Sequence, residues 1–235
     1  NRKSKISGWT DTIKLINIYG IASCMSYLHS NNIIHRNLTP DSIFLDENFH
    51  PKITNFEFSK ELPKNGFIND YEIKGNIKYQ APEVLTHLSY SKSSDVYSFS
   101  LLMYFILTNN EPYQKLSQKT DIIKNISIKN ERPMFDVHIE KCYRDLIERC
   151  WSPDLNERPT FDQILDELKT NKEFITETVD KGEYEKYIRS IEESPKSFNM
   201  DDKKRNIETI LKDINPEFNT NQYKKLDPFS KTEFD

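Results

Sequence analysis

The run Val96-Tyr97-Ser98-Phe99-Ser100-Leu101-Leu102-Met103-Tyr104-Phe105-Ile106-Leu107 constrains the fold more than any other stretch of the chain. Wound as a helix it has no polar face, so it has to be enclosed on every side. A bilayer is not the enclosure. The strongly apolar part, Phe99 to Leu107, is interrupted by Ser100 and falls far short of the roughly 20 residues that a membrane-spanning helix needs. The run is read as the central helix of a protein core, and the rest of the chain has to supply the elements that wrap it.

Several segments have the right pattern. Thr10 is a plausible N-cap with Asp11 in the first turn, and Ile13, Ile16, Ile21, Met25 and Leu28 follow at helical spacing, predicting a helix of about five turns that ends near Ser30-Asn31-Asn32. A weakly amphipathic helix is expected around Gln118 to Ile126, and another from Tyr143 to Cys150. Thr160 and Gln163 form a capping box before the apolar stripe Phe161, Ile164, Leu165 and Leu168. With 235 residues, the chain holds one domain with a substantial core plus an appendage. A net charge of -4 gives no basic field for nucleic acid. Cys24, Cys142 and Cys150 stand apart, as expected of reduced core thiols in an intracellular, cytoplasmic protein, and no signal peptide opens the sequence.

Chemistry is concentrated between His35 and Glu57. The order is His35-Arg36-Asn37-Leu38-Thr39-Pro40-Asp41-Ser42-Ile43-Phe44-Leu45, then Pro51-Lys52-Ile53-Thr54-Asn55-Phe56-Glu57. Two short strands are expected, near Ile43 to Leu45 and Lys52 to Thr54, each next to a polar loop. Further on come Ala81-Pro82-Glu83, Ser94-Asp95-Val96-Tyr97-Ser98-Phe99, and Cys150-Trp151-Ser152-Pro153-Asp154-Leu155-Asn156-Glu157-Arg158-Pro159-Thr160-Phe161. In this order the segments resemble the large, C-terminal lobe of a eukaryotic protein kinase of the tyrosine-kinase-like type, over about residues 9 to 170. The family signatures are H-R-D-L-x-x-x-N, D-F-G and A-P-E. The fold implied is mainly α, with short β-strands at the catalytic and metal loops. The preceding small lobe, with its Gly-rich loop and strand lysine, has no match in this chain, which is read as a fragment.

The resemblance keeps the spacing and loses the chemistry. Asn37 stands at the position of the family's catalytic base, Thr39 at the lysine position of Ser/Thr kinases, Ser42 at the metal-binding asparagine, and Asn55 and Glu57 at the aspartate and glycine of D-F-G. Phosphoryl transfer leaves a protein mainly positioning and charge neutralisation to perform. A neutral amide at residue 37 is no base, and Mg²⁺ prefers anionic oxygen to the amide of Asn55 or the short hydroxyl of Ser42. No catalytic, cofactor or metal position is intact. ATP and Mg²⁺ are expected only if a complete small lobe exists and the motifs tolerate these changes.

Structural positions are retained. The resemblance implies that His35 and Arg36 are held by Asp95, that Glu83 pairs with Arg158 at the base of the lobe, and that Arg36 faces an activation segment, Phe58 to Gln80, in which Ser59, Tyr71 or Tyr79 serve as phosphate acceptors. The implied function is a pseudokinase, a regulatory or scaffold module in signalling whose partners are other proteins, including an active kinase. The alternatives are an active Ser/Thr kinase transferring the ATP γ-phosphate to proteins, and a truncated product without function. From Asn171 to Asp235 a polar, partly helical tail is expected. It has apolar positions at Tyr184, Tyr187, Ile188 and Ile191 and at Ile207, Ile210, Leu211 and Ile214, packing loosely on the domain, and disorder from residue 216 onward.

Overall fold

The helix without a polar face is α3, Lys92–Thr108, and it is buried all round: Phe99, Leu101, Leu102, Met103 and Ile106 are each 0% exposed. It starts at Ser91, whose N–H is accepted by the Ser94 hydroxyl at 3.1 Å. It stops at Asn109, which turns left-handed and donates its N–H to the Phe105 carbonyl at 2.8 Å. In this computed structural model residues 8–193 and the backbone of 224–225 are described.

Two helices pack directly on α3 and a third reaches it through one aromatic ring. The first, α1 (Asp11–Ser30), starts where the Thr10 hydroxyl accepts the Ile13 N–H at 3.2 Å. Next comes α5 (Lys141–Cys150), packed on α3, and then α6 (Phe161–Thr170), packed on α1. The capping box of α6 forms as expected, with Thr160 N–H donating to Gln163 Oε1 at 2.8 Å and Gln163 N–H to Thr160 Oγ1 at 3.3 Å. Phe161 then reaches the centre, its ring edge-on to Phe99 at 5.2 Å and to His29 at 5.0 Å. Burying each such side chain stabilises by about 1.5–3 kcal/mol, and the central layer consists of little else.

The strands are short, two or three residues each, and form three separate small sheets. β1 (Ile33–Ile34) pairs antiparallel with β4 (Lys60–Glu61). β2 (Ile43–Leu45) and β3 (Pro51–Ile53) form a hairpin with Ile43 opposite Ile53 and Leu45 opposite Pro51. Its turn is closed by Asp46, whose Oδ1 accepts the N–H groups of Asn48 at 3.0 Å and His50 at 2.9 Å. β5 (Ile68–Asn69) pairs with β6 (Ser89–Tyr90), just after α2 (Pro82–His87). The whole is mostly helical.

One expected helix is refined here, and the tail departs from expectation. The helix expected around Gln118 to Ile126 is present, as α4 (Lys119–Ile123) running directly into a π-type turn over Lys124–Ile128. The first tail stretch packs closely rather than loosely. After a turn at Lys172–Phe174, α7 (Lys181–Glu193) lies along α1 with Tyr184, Tyr187 and Ile188 buried. Aromatic area explains the difference: Tyr184 meets Tyr19 edge-on at 5.8 Å and its hydroxyl donates to the Leu168 carbonyl at 3.1 Å. Gly20 is what allows the approach, since a Cβ there would collide with the Tyr187 hydroxyl and come within 2.7 Å of Pro51 Cγ. In the last stretch, expected to be disordered, the backbone of Lys224–Lys225 forms β7 on the free edge of β2. The helical pattern at Ile207 to Ile214 and the rest of residues 216–235 lie outside the described residues. Among the described residues no helix is long and apolar enough to cross a membrane.

Candidate functional site

The loop from His35 to Ser42 is hung from one buried carboxylate. Asp95, in the first turn of α3, is 1% exposed and accepts the backbone N–H of His35 at 2.8 Å and of Arg36 at 2.9 Å. His29 Nε2 donates to the same carboxylate at 3.0 Å. Burial, the largest single influence, works against the charge on Asp95, but His29, His35 and the Arg36 amide outweigh it and lower its pKa. These bonds offset a backbone cost: Arg36 has φ of 69°, the left-handed region that costs a non-glycine residue about 1–3 kcal/mol.

His35 is fixed as one neutral tautomer. Its Nε2–H donates to the Thr54 carbonyl at 2.9 Å and its Nδ1 accepts the Asn37 N–H at 3.2 Å. A second proton on Nδ1 would face that N–H, and burial lowers the imidazole pKa further. The ring thereby ties the loop to the end of β3, with Phe56 tilted against it at 5.2 Å.

Asn37, Thr39, Ser42 and Asn55, at which the sequence departs from the family signatures, each have a definite engagement. Asn37 Oδ1 accepts the Asn76 N–H at 3.3 Å. Gly75, at φ of 75°, lies so close over this amide that a Cβ there would collide with Asn37 Oδ1 and sit 2.7 Å from its Cγ. Ser42 is 0% exposed, its hydroxyl donating to the Thr39 carbonyl at 2.7 Å and accepting the Thr39 N–H at 3.0 Å. Thr39 is 2% exposed, so neither side chain opens to solvent. Asn55 is left-handed, with φ 59° and ψ 48°, and its Nδ2 donates to the Asp41 carbonyl at 3.0 Å. Glu57 is exposed. Among the described residues no group of three or more His, Cys, Asp or Glu side chains is arranged to hold a metal ion.

The chain matches the family described as protein tyrosine and serine/threonine kinase over residues 6–168. It belongs to the protein kinase family. A probable serine/threonine-protein kinase of Dictyostelium discoideum is 34% identical over 157 residues, covering 67% of this chain and 12% of that protein. The dual specificity protein kinase shkB of the same organism is 33% identical over 156 residues, or 66% and 23% of the two chains. The serine/threonine-protein kinase STY46 of Arabidopsis thaliana is 31% identical over 166 residues, or 71% and 28%. The kinase-family chain thus spans less than a third of the length of each of these relatives.

Within this kinase-family chain the distant pair Glu83 and Arg158 comes together, Nη1 to Oε1 at 2.8 Å and Nη2 to Oε2 at 3.0 Å. Ser94 donates to the same Oε1 at 3.0 Å, and Arg158 also reaches the carbonyls of Ser152 and Ser93. Tyr79 is misplaced as an acceptor. It is 1% exposed and its hydroxyl donates to Glu111 at 3.3 Å, whereas Tyr71 is fully exposed. Sequence reading missed Asp70, which pairs with the Arg36 side chain, Lys60, which approaches the same carboxylate, and Gly75 and Asn76, which cover Asn37. Nothing in the spacing marks Asp70. Gly75, six residues before Ala81, carried a signal, since a lone glycine in a polar segment marks a positive φ or a close approach.

Proposed function

We propose that this kinase-family chain is the large-lobe part of a pseudokinase, a regulatory or scaffold module that acts by binding other signalling proteins and transfers no phosphate. The observation that carries the reading is at Asn37, a neutral amide whose oxygen is engaged by the Asn76 N–H at 3.3 Å where the chemistry asks for a free carboxylate. The donor set points the same way. Ser42 spends its hydroxyl on Thr39, and Asn55 offers at most a neutral amide oxygen, so the residues present do not fit Mg²⁺. No step through ATP or a metal is assigned to this chain. The packing that would hold such a module together, Asp95 with the loop and Glu83 with Arg158, is in place.

The test is a transfer assay with radiolabelled ATP, Mg²⁺ or Mn²⁺ and a generic protein acceptor, run on the chain and on the longest protein that contains it. No phosphate transfer above a protein-free control is expected. Transfer that disappears on Asn37→Ala would overturn the reading. A second reading, an active Ser/Thr or dual specificity kinase, is favoured by the names of the relatives and predicts that overturning result.

A further inference from the structure

The Arg36 side chain is 1% exposed and is enclosed by Phe58, Asp70 and Tyr90. Its guanidinium carbon stands 4.1 Å over the Tyr90 ring, and Nη1 donates to the Phe58 carbonyl at 3.2 Å. Nη2 is paired with the Asp70 carboxylate, and Lys60 Nζ approaches the same oxygen at 3.5 Å. Asp70 is thereby placed between two cations. Its own backbone is pinned too, with its N–H donating to the Leu88 carbonyl at 3.0 Å directly after the β5–β6 ladder.

We propose that Asp70 is a built-in counter-ion for Arg36, so that the segment from Phe58 to Gln80 is latched in place by the chain's own carboxylate and needs no phosphoryl group to be ordered. A buried guanidinium needs an anion, because leaving it unpaired is costly. A side-chain carboxylate with a second cation beside it supplies that anion through charge-assisted bonds. The Arg36 hydrogen bond, first among the influences, holds the Asp70 carboxyl at about 2, so the latch stays charged through the physiological range. The remaining bonds spread its effect along the segment: Gln80 Nε2 donates to the carbonyls of both Arg36 and Lys74, and the Tyr90 hydroxyl accepts the Lys74 N–H at 2.7 Å. A phosphate added to the exposed Tyr71 next door would have to displace Asp70 to reach Arg36, and would therefore exchange one anion for another rather than order a loose loop. The inference stands whether or not the chain is catalytically silent.

Hydrogen–deuterium exchange on phosphatase-treated protein, confirmed free of phosphate by mass spectrometry, tests it. Protection of the Asp70 and Tyr90 amides is expected in the untreated and treated wild type alike. Asp70→Asn should speed exchange of the Asp70 amide by roughly tenfold or more, with Asp70→Glu retaining part of the protection and the amides of α3 unchanged in both. Equal exchange in wild type and Asp70→Asn would overturn the proposal. So would loss of protection in the phosphate-free wild type, a measurement that needs no variant and stands even if Asp70→Asn fails to fold.

Discussion

Arg158 and Glu83, 75 residues apart in sequence, meet in a two-pronged ion pair with the Arg158 side chain 0% exposed. Removing one partner leaves the other buried and unpaired. Glu83→Ala or Arg158→Ala is expected to destabilise by about 3–5 kcal/mol, and the double variant by much less than the sum of the two. Urea unfolding followed by the fluorescence of Trp151, which is 7% exposed and stacked on Phe135 at 5.6 Å, reads all three. Small and additive losses would show that the pair is not coupled.

Two histidines, the buried His35 and the half-buried His50, set a pH dependence. His35 is held neutral, its pKa lowered from 6.5 by burial, and His50, against the Tyr187 ring at 4.5 Å, is shifted in the same direction for the same reason. In the unfolded chain each takes up a proton near 6.5, in the folded chain only at lower pH. Between those values the unfolded state binds more protons, so stability is full above 6.5 and falls as pH drops below it, by at most about 1.4 kcal/mol per pH unit for each histidine. Asp95, lowered from 3.8, adds its own loss only at still lower pH. Urea midpoints at pH 7.5, 6.5 and 5.5 should decline, and His35→Gln should flatten that decline. A wild-type midpoint that does not move across this range contradicts the account.

Gly20 reverses an ordinary helix rule. Replacing a mid-helix glycine by alanine generally stabilises by about 0.5–1 kcal/mol. Here the added methyl meets the Tyr187 hydroxyl and Pro51, so Gly20→Ala should instead cost about 1–3 kcal/mol. Tyr187→Phe in the same protein should recover part of that loss. Thermal melts decide, and a Gly20→Ala protein that melts higher than wild type would mean that α7 does not lie against α1.

The proposed loss of chemistry is testable by reversal. In a protein that carries this chain together with a nucleotide-binding lobe, Asn37→Asp, Ser42→Asn, Asn55→Asp and Glu57→Gly are made together. ATP binding by isothermal titration should then become Mg²⁺-dependent, with at most weak transfer while residue 39 remains threonine. A titration as insensitive to Mg²⁺ as the parent's would place the defect beyond these positions.

Where the sequence was legible, the signal was local or strongly periodic. The enclosed α3 followed from its lack of a polar face, α1 from the Thr10 cap, and α6 from the Thr160 and Gln163 box. Asp95 and the Glu83–Arg158 pair were reached only through the family resemblance, since no spacing rule joins residues so far apart. Asp70 was hidden for the opposite reason: its role depends on a long irregular segment folding back onto Arg36, and irregular backbone carries no period. The burial of α7 was underestimated because the gap that admits it is a glycine on another helix, 167 residues before Tyr187.

Ser42 braces its own turn. Its buried hydroxyl makes two bonds to Thr39 across the turn, so an asparagine placed there removes the brace at once, while any metal-binding benefit waits on changes at Asn37 and Asn55. The order in which such substitutions are made therefore matters: Ser42→Asn made alone weakens the loop, and only in combination with the others can it be neutral.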